Sequence, residues 1–349
     1  MTTIKDVAKL AGVSIATVSA TINGTATVSE RLSRRVREAI DVTGYSPHGI
    51  ARSLRLGRSR SIGLVIGDIS NPLHTAIARA VEARAREAGY LVIVASSHDD
   101  EQRELQLLQL LREQQVAGIL LTPTGHGERY LAALGQMPEL PIIQIDRRLP
   151  HSPFDAVLID NVAAARMVTE YLIRLNHRRI AMVYGQPAHS TTQARLQGYR
   201  DSLRSAGIAP DPELELAADL RVEAAYEVVQ RLMSLPEPPS AIFAANNLML
   251  LGAFQAVLDM GFRCPEQVSI AGIDDFSWST AVRPRLTTVS QPLEDLGTHA
   301  VDLLLGRIQQ KIDRADPQAA RTVTLGPRLM IRDSCSPFDA PSADRPVSV

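Results

Sequence analysis

The sequence predicts an α/β protein in three parts: a three-helix helix-turn-helix head, a short basic hinge and a two-lobed body built on parallel sheets. Three observations predict it. Apolar residues recur at helical spacing over the first 45 residues, short Ile/Val/Leu runs alternate with amphipathic helices from residue 61 onward, and that alternation restarts at Arg178. Charge divides the chain in the same place. Residues 1–60 hold 10 Lys and Arg against 4 Asp and Glu, whereas the whole chain holds 37 against 38. A basic head on an acidic body is the asymmetry expected where one end meets phosphates.

The head comes first. In "TIKDVAKLAG", Ile4, Val7, Ala8 and Ala11 share one helix face, and Gly12 takes the left-handed conformation that ends the helix. Ser14 caps a second helix with Val18 and Ile22 inward. Ser29 caps a third, with a stripe of Leu32, Val36, Ala39 and Ile40 and a stop at Gly44. The second helix is too short and too weakly apolar to stand alone, so its neighbours must brace it. Its outward residues Ile15, Ala16, Thr17, Ser19 and Ala20 are small enough to lie against base edges and phosphates in a major groove. Caps and dimerisation elements of enzymes are built from similar short helices; the charge asymmetry favours DNA.

The hinge follows in "YSPHGIARSLRLGRSRSIG". Ser46-Pro47 starts a helical turn, Gly49 costs it about 1 kcal/mol, and almost no apolar face supports it. The segment is expected to be largely unfolded in free solution. Arg52, Arg55, Arg58 and Arg60 suit ordering on DNA, where Leu54 would wedge into a minor groove. A plain charged linker is the other reading.

The body reads as βαβ units. Strand runs "SIGLVIGD", "YLVIVASS", "VAGILLT" and "LPIIQID" are separated by helices such as "LHTAIARAVEARAREAG" and "EQRELQLLQLLREQ"; the theme repeats in "RRIAMVYG", "SAIFAAN" and "QVSIAGID". So long a body exceeds one comfortable core, and its internal restart predicts two similar lobes. Ligands on such sheets bind at the carboxyl ends of strands. Those ends carry Asp68 and Asn71, Asp146 and Arg147, Asn246 and Asn247, and Asp274 and Asp275, planar groups suited to pairing with adjacent sugar hydroxyls. Each one singly also reads as a helix cap. Their convergence on one cleft favours binding.

Together these residues resemble the lactose and galactose repressor family of bacterial transcription regulators. The resemblance runs from "IKDVAKLAGVSIATVSATING" through "YSPHGIARSL" to "AGIDDFSWSTAVRPRLTTVSQP". It implies a homodimer that sets its second helices into successive major grooves of a near-palindromic double-stranded operator, with paired hinge helices opening the central minor groove. It carries Ile15, Ala16 and Ala20 onto base-reading positions, Thr17 and Ser19 onto phosphate-facing ones, and Ala51 and Leu54 onto the minor groove. With Ser14 and Arg55 these form the expected DNA-binding set. The family's lobe crossing implies a head at 1–45, a hinge at 46–60 and a body at 61–335. One lobe takes about 61–160 plus 291–321, the other about 161–290 plus 322–335, and residues 336–349 form a disordered tail.

The resemblance also places Asn246 and Asp274 at positions that contact effector, with Arg147 and the segment Thr191 to Arg195 beside them. His74 and Trp278 complete the expected set, Trp278 either as a stacking face or packed between lobes. Four positions depart from the family. Ala20 stands where arginine is frequent, which removes a bidentate guanine contact. Leu73 and His74 replace an aromatic pair, Asn247 replaces a frequent aspartate, and Gln193 stands where some members carry a ligand-binding arginine. Arg147, Arg195 and His74 leave an acidic or phosphorylated sugar open. Effector binding is expected to close the lobes; by the resemblance this either unpairs the hinges and lowers operator affinity or, where the closed form is the DNA-binding one, raises it.

The enzyme reading has no support from motifs: a strand followed by GxGxxG, GxxxxGK[ST], GxSxG and HExxH are all missing. Cys264 and Cys335 stand far apart, without a second ligand pair, so neither metal nor disulfide is expected, and no cofactor. The alternative is a secreted, periplasmic-type sugar-binding protein, whose two-lobed fold the body resembles equally well. The start "MTTIKDVAKLAG" lacks the marks of a signal peptide, and no apolar run reaches membrane-span length, so a cytoplasmic place is expected. The last residues carry no leucine heptads, which favours a dimer over a tetramer.

Overall fold

A computed structural model describes residues 2–23, 28–45, 59–313, 316 and 318–339. The chain forms two compact units, one within residues 1–60 and one within 61–349.

The first unit holds α1 (Ile4–Ala11), α2 (Ile15–Asn23) and α3 (Glu30–Thr43). Asp6 fastens the start of α1 by accepting from the Thr3 N–H at 2.8 Å and the Thr3 hydroxyl at 2.7 Å. Gly12 ends it in the left-handed region at φ +61°, and the Val13 N–H returns to the Ala8 carbonyl. Ser14 Oγ then accepts from the Thr17 N–H at 3.1 Å and opens α2. Val7, Ala8, Ala11, Val18, Val36 and Ala39 form a small core ringed by Ile4, Val13, Ile22, Ile40 and Tyr45. Two expectations need correction. Leu32 is half-exposed and outside this core, because it lies in the first turn of α3, ahead of the stretch from Val36 to Ile40 that the other helices cover. Ser29 has the extended backbone of a cap, but its hydroxyl bonds no helix N–H. The hinge readings at Ser46-Pro47, Gly49, Ala51, Leu54 and Arg55 lie outside the described residues.

The second unit is built on two six-stranded sheets. The first orders β2 (Leu91–Ser96), β1 (Ser61–Ile66), β3 (Ile119–Leu121), β4 (Ile142–Ile145), β5 (Asp155–Ile159) and β11 (Thr322–Leu325), all parallel. The second orders β7 (Glu215–Ala217), β6 (Ile180–Tyr184), β8 (Ala241–Ala244), β9 (Ser269–Ile273), β10 (Thr287–Ser290) and β12 (Arg328–Met330). There only β12 runs antiparallel, to β10. Position by position the two orders match, which is the internal restart seen in the sequence. Central strands such as β1, buried from Ile62 to Ile66, are covered on both faces and so read as unbroken apolar runs.

Helices α4 (Pro72–Glu87), α5 (Glu101–Glu113), α6 (Glu128–Gly135) and α12 (Leu293–Asp313) belong with the first sheet. With the second go α7 (Asn161–Arg174), α8 (Ser190–Ser205), α9 (Val222–Met233), α10 (Asn247–Asp259) and α11 (Ser277–Ala281). The chain passes between lobes three times, at residues 160, 291–292 and 326–327.

The expected lobe boundary at 321 is corrected: Thr322 to Leu325 pair with Ala156 to Ile159, so the first lobe runs on to Leu325. The buried Asp155 carboxylate holds this edge by accepting from the Arg321 N–H at 2.7 Å and from the Arg307 guanidinium at 2.6 and 2.7 Å. The expected disordered tail is corrected at its start. The Ser336 N–H donates to Ser269 Oγ at 3.1 Å, the Phe338 N–H donates to the Leu175 carbonyl at 2.8 Å, and the Phe338 ring stacks on His177. An aromatic ring with satisfied backbone outweighs the Pro- and Ser-rich composition that predicted disorder. Residues 340–349 lie outside the described set.

Candidate functional site

In the head, Ser14, Ile15 and Ala16 are exposed at the start of α2, Thr17, Ser19 and Ala20 are half-buried, and Val18 points into the core. Ile15 keeps 42% of its surface exposed although it is a large aliphatic side chain. Thr17 Oγ1 shares a hydrogen bond with Ser14 Oγ at 2.9 Å. The first turn of α2 therefore presents an apolar side chain and two hydroxyls on a braced helix.

In the body, the strand ends converge as topology requires. Asp146 follows β4 and Asp274 follows β9, the fourth strands of their respective sheets, and both take positive φ, +67° and +79°. Strained backbone at matching strand ends, carrying buried carboxylates, is the kind of outlier that clusters at ligand sites. Asp274 accepts from the Asn247 N–H at 3.1 Å, from Asn247 Nδ2 at 3.0 Å and from the Gln291 side-chain amide. Asn247 Nδ2 also reaches across to Asn71 Oδ1 of the first lobe at 3.0 Å. Asn71 caps α4 and Asn246 caps α10, accepting from the Leu73 and Met249 N–H groups. These residues are caps, as each one singly predicts, and they also stand where the two lobes face each other.

Arg147 donates to Asp99 Oδ1 at 2.7 Å, and its Nη1 lies 3.5 Å from His189 Nε2 of the second lobe. Arg195 donates to Asn161 Oδ1 at 2.7 Å and to the Ala245 carbonyl. His74 Nδ1 faces the Asp68 backbone, while the Asp68 carboxylate is occupied by the Ser70 N–H at 2.8 Å and hydroxyl at 2.6 Å. The Arg148 N–H adds a further tie between lobes, to Ser190 Oγ at 3.0 Å.

Burial sets the electrostatics. It opposes ionisation of Asp99, but the Arg147 guanidinium outweighs it and holds that carboxyl below its ordinary value. Burial raises Asp146, and Arg147 only partly offsets this. It depresses Arg195, and together with Arg147 it lowers His189 to about 4, so His189 is neutral at physiological pH. Four buried atoms here have no hydrogen-bond partner among the described residues: Asp146 Oδ1, Asn247 Oδ1, Gln291 Oε1 and His189 Nδ1. Three of them are oxygens that can only accept. No group of three or more His, Cys, Asp or Glu residues fit to hold a metal occurs among the described residues.

Asp99, Asn161, His189 and Gln291 were not among the residues singled out from sequence. Asp99 sits just past the end of β2 in "SSHDD" and Gln291 just past β10, so the strand-end rule applied to every strand finds both. Trp278 packs against the core of the second lobe, whereas Phe276, two residues earlier, packs against the apolar core of the first. Asp275 turns away to Arg332 at 2.8 Å and Thr288 at 2.8 Å. Thr191 stays half-exposed in the first turn of α8.

A helix-turn-helix unit joined to a two-lobed body with a polar cleft defines the class: a transcriptional regulator that binds DNA and responds to a ligand. Comparisons with known proteins agree. Residues 3–48 match the model of bacterial regulatory proteins of the lacI family, and residues 169–335 match a periplasmic binding protein-like domain. The ribose operon repressor of Escherichia coli (strain K12) is 33% identical over 310 residues, which cover 89% of this chain and 94% of that protein. Among solved structures, a complex of the transcriptional regulator CelR with cellobiose is 30% identical, with a TM-score of 0.71, and the match covers 96% of this chain and all of that one. A lac repressor dimer bound to operator and the anti-inducer ONPF is 25% identical, with a TM-score of 0.87, covering 96% and 99%. The chain belongs to the lacI family of bacterial regulatory proteins.

Proposed function

We propose that this protein is a homodimeric, cytoplasmic repressor whose affinity for a double-stranded operator is set by a neutral sugar held between its lobes. One observation carries the choice of a neutral ligand. The unpartnered buried side-chain oxygens of the cleft, on Asp146, Asn247 and Gln291, are acceptors, and both cleft arginines already have acceptors of their own. A buried acceptor left unmade costs about 1–3 kcal/mol, so the favoured ligand is one that brings donors. Hydroxyl groups do so, and the carboxylate of a sugar acid or the phosphate of a sugar phosphate would add acceptors to a cleft whose own oxygens already lack donors, which favours the neutral sugar.

The DNA-facing residues are Ser14, Ile15, Ala16, Thr17, Ser19 and Ala20 of the head, with Ala51, Leu54 and Arg55 of the hinge. The effector set is Asn71, His74, Asp146, Arg147, Thr191, Arg195, Asn246 and Asp274, to which Asp99, His189, Asn247 and Gln291 are added. Asp68 and Trp278 have weaker standing, since one is spent on Ser70 and the other on the core of the second lobe. Dimerisation has support in the exposed aliphatic side chains Ile69, Leu91 and Val94 on the first lobe and Leu258 on the second, and in the dimeric lac repressor it resembles. No described helix is long and apolar enough to cross a membrane.

The test is selection of bound duplexes from a random DNA pool by the full-length protein, with and without ribose, glucose, cellobiose and other neutral sugars alongside sugar acids and sugar phosphates. The expected result is a near-palindromic site whose recovery changes with one neutral sugar. Enrichment that responds only to a sugar acid or phosphate overturns the neutral-ligand reading. No enrichment under any condition overturns the operator reading.

A further inference from the structure

The first lobe buries a carboxylate that has no part in the cleft as described so far. Glu104, on α5, has none of its surface exposed. Its carboxylate accepts from the Tyr130 hydroxyl of α6 and, through both oxygens, from the Thr124 N–H at 3.1 and 3.0 Å. All these donors are neutral. Burying a carboxylate without a cation is costly and pushes its pKa up, and filling a core does not require a charge.

What Glu104 holds is the loop after β3, and that loop leads to the cleft. Thr124 Oγ1 donates to Asp99 Oδ1 at 3.5 Å and lies 3.2 Å from Ser97 Oγ; the same Asp99 oxygen accepts from Arg147 Nη1 at 2.7 Å. Asp99 needs holding. It and His98 are consecutive residues at positive φ, +54° and +55°, a backbone that persists only where its surroundings fix it. Gly67 closes a further side of its carboxylate, since even a Cβ there would come within 2.6 Å of Oδ1. Arg147 Nη1 in turn stands 3.5 Å from His189 Nε2 of the second lobe. We infer that Glu104 is a positioning residue for the cleft: by fixing Thr124 it sets the Asp99 carboxylate, and Asp99 sets the Arg147 guanidinium against His189. This rests on reading Arg147 as an effector residue and extends the effector machinery to α5 and α6.

The test is an NMR titration of the histidine rings in the full-length, sugar-free protein, with the His189 signal assigned by its loss in His189→Gln. Burial first and Arg147 second hold the His189 pKa down at about 4; Asp99 acts the other way, and His126 and His74 are the other titratable groups that face it. An Arg147 no longer held in place withdraws its charge, so the His189 midpoint rises. Thr124→Val keeps the volume and removes the hydroxyl, whereas Thr124→Ser keeps the hydroxyl and removes a methyl group. The expected result is a midpoint raised by about half a pH unit or more in Thr124→Val and in Glu104→Gln, and a midpoint close to the parent's in Thr124→Ser. Melting curves show which variants fold, and the Thr124 pair carries the test if Glu104→Gln does not. A rise in Thr124→Ser as large as in Thr124→Val overturns the inference, because volume rather than the hydroxyl then places Asp99. Folded Glu104→Gln with the parent's midpoint overturns the role of Glu104. No sugar is present, so the outcome is independent of the effector reading, which fails on its own if Arg147→Gln leaves every sugar response of operator binding intact.

Discussion

Asp274 is where a single side chain matters most to the cleft. Its carboxylate accepts from three donors, two of them on Asn247, which in turn reaches the first lobe. In Asp274→Ala, a buried N–H and two amide groups lose their acceptor, at about 1–3 kcal/mol each where water does not replace it. The expected outcome is a protein that still binds operator but whose binding no longer changes with effector, read by titrating labelled operator with and without the sugar. His189 gives a pH signature. Its folded-state pKa of about 4 lies below the ordinary value of about 6.5, so the unfolded chain takes up a proton that the folded protein holds off. Stability is therefore expected to fall as pH drops from about 6.5 toward 4, by a slope approaching one proton from this residue. Urea midpoints across that range should flatten in His189→Gln; an unchanged slope would mean that His189 is protonated in the fold. At this scale the sequence disclosed residue types but not partners. Asp146, Arg147, Asn246 and Asp274 were legible as cleft candidates because they follow strands, and Arg195 only through the family resemblance, yet nothing local says that Arg147 meets Asp99, 48 positions away. Trp278 shows the converse, since a lone tryptophan next to a site residue carries no sign of which lobe covers it.

Among elements, the paired helices carry a sharper test than the strands. In α8, a Cβ on Gly198 would come within 2.3 Å of the Val162 carbonyl oxygen in α7, a backbone atom that cannot swing aside. In α12, a Cβ on Gly306 would meet nothing within 4 Å. Gly198→Ala should thus force α7 and α8 apart and destabilise the body by more than about 1 kcal/mol, the lower end of overpacking costs. Gly306→Ala should stabilise it by about 0.5–1 kcal/mol through the better helix propensity of alanine. Opposite shifts in denaturant midpoint check both at once; equal shifts would mean that helix propensity rather than helix contact sets the cost. The element types were legible from period alone, because buried parallel strands and amphipathic helices leave different patterns. The two corrections at element scale, β11 and the docked segment from Ser336 to Phe338, have one physical cause. Both are short edge pieces held by long-range bonds, to Asp155 and to Ser269 and Leu175, and a short window of sequence contains neither partner.

At the scale of the whole molecule, the two lobes meet directly: Asn71 with Asn247, Arg147 with His189, and the Arg148 backbone N–H with Ser190 Oγ. A lobe pair that touches directly has a closed state partly stabilised without ligand, and the ligand adds only its differential affinity for that state. Weakening one tie from outside the buried cluster tests this. Ser190→Ala removes the acceptor of the Arg148 N–H and should lower the closed population, so that effector affinity drops by the factor by which that population drops. Linkage then fixes the sign of a second measurement. If the effector lowers operator affinity by favouring the closed state, Ser190→Ala without ligand must raise operator affinity or leave it level; if the effector raises it, the variant must lower it or leave it level. Titrating operator with the ligand-free variant and with the effector-loaded parent therefore tells whether lobe closure is the variable that effector and operator share. Shifts in the same direction from both would show that it is not, and that the cleft reaches the DNA by some route other than closure.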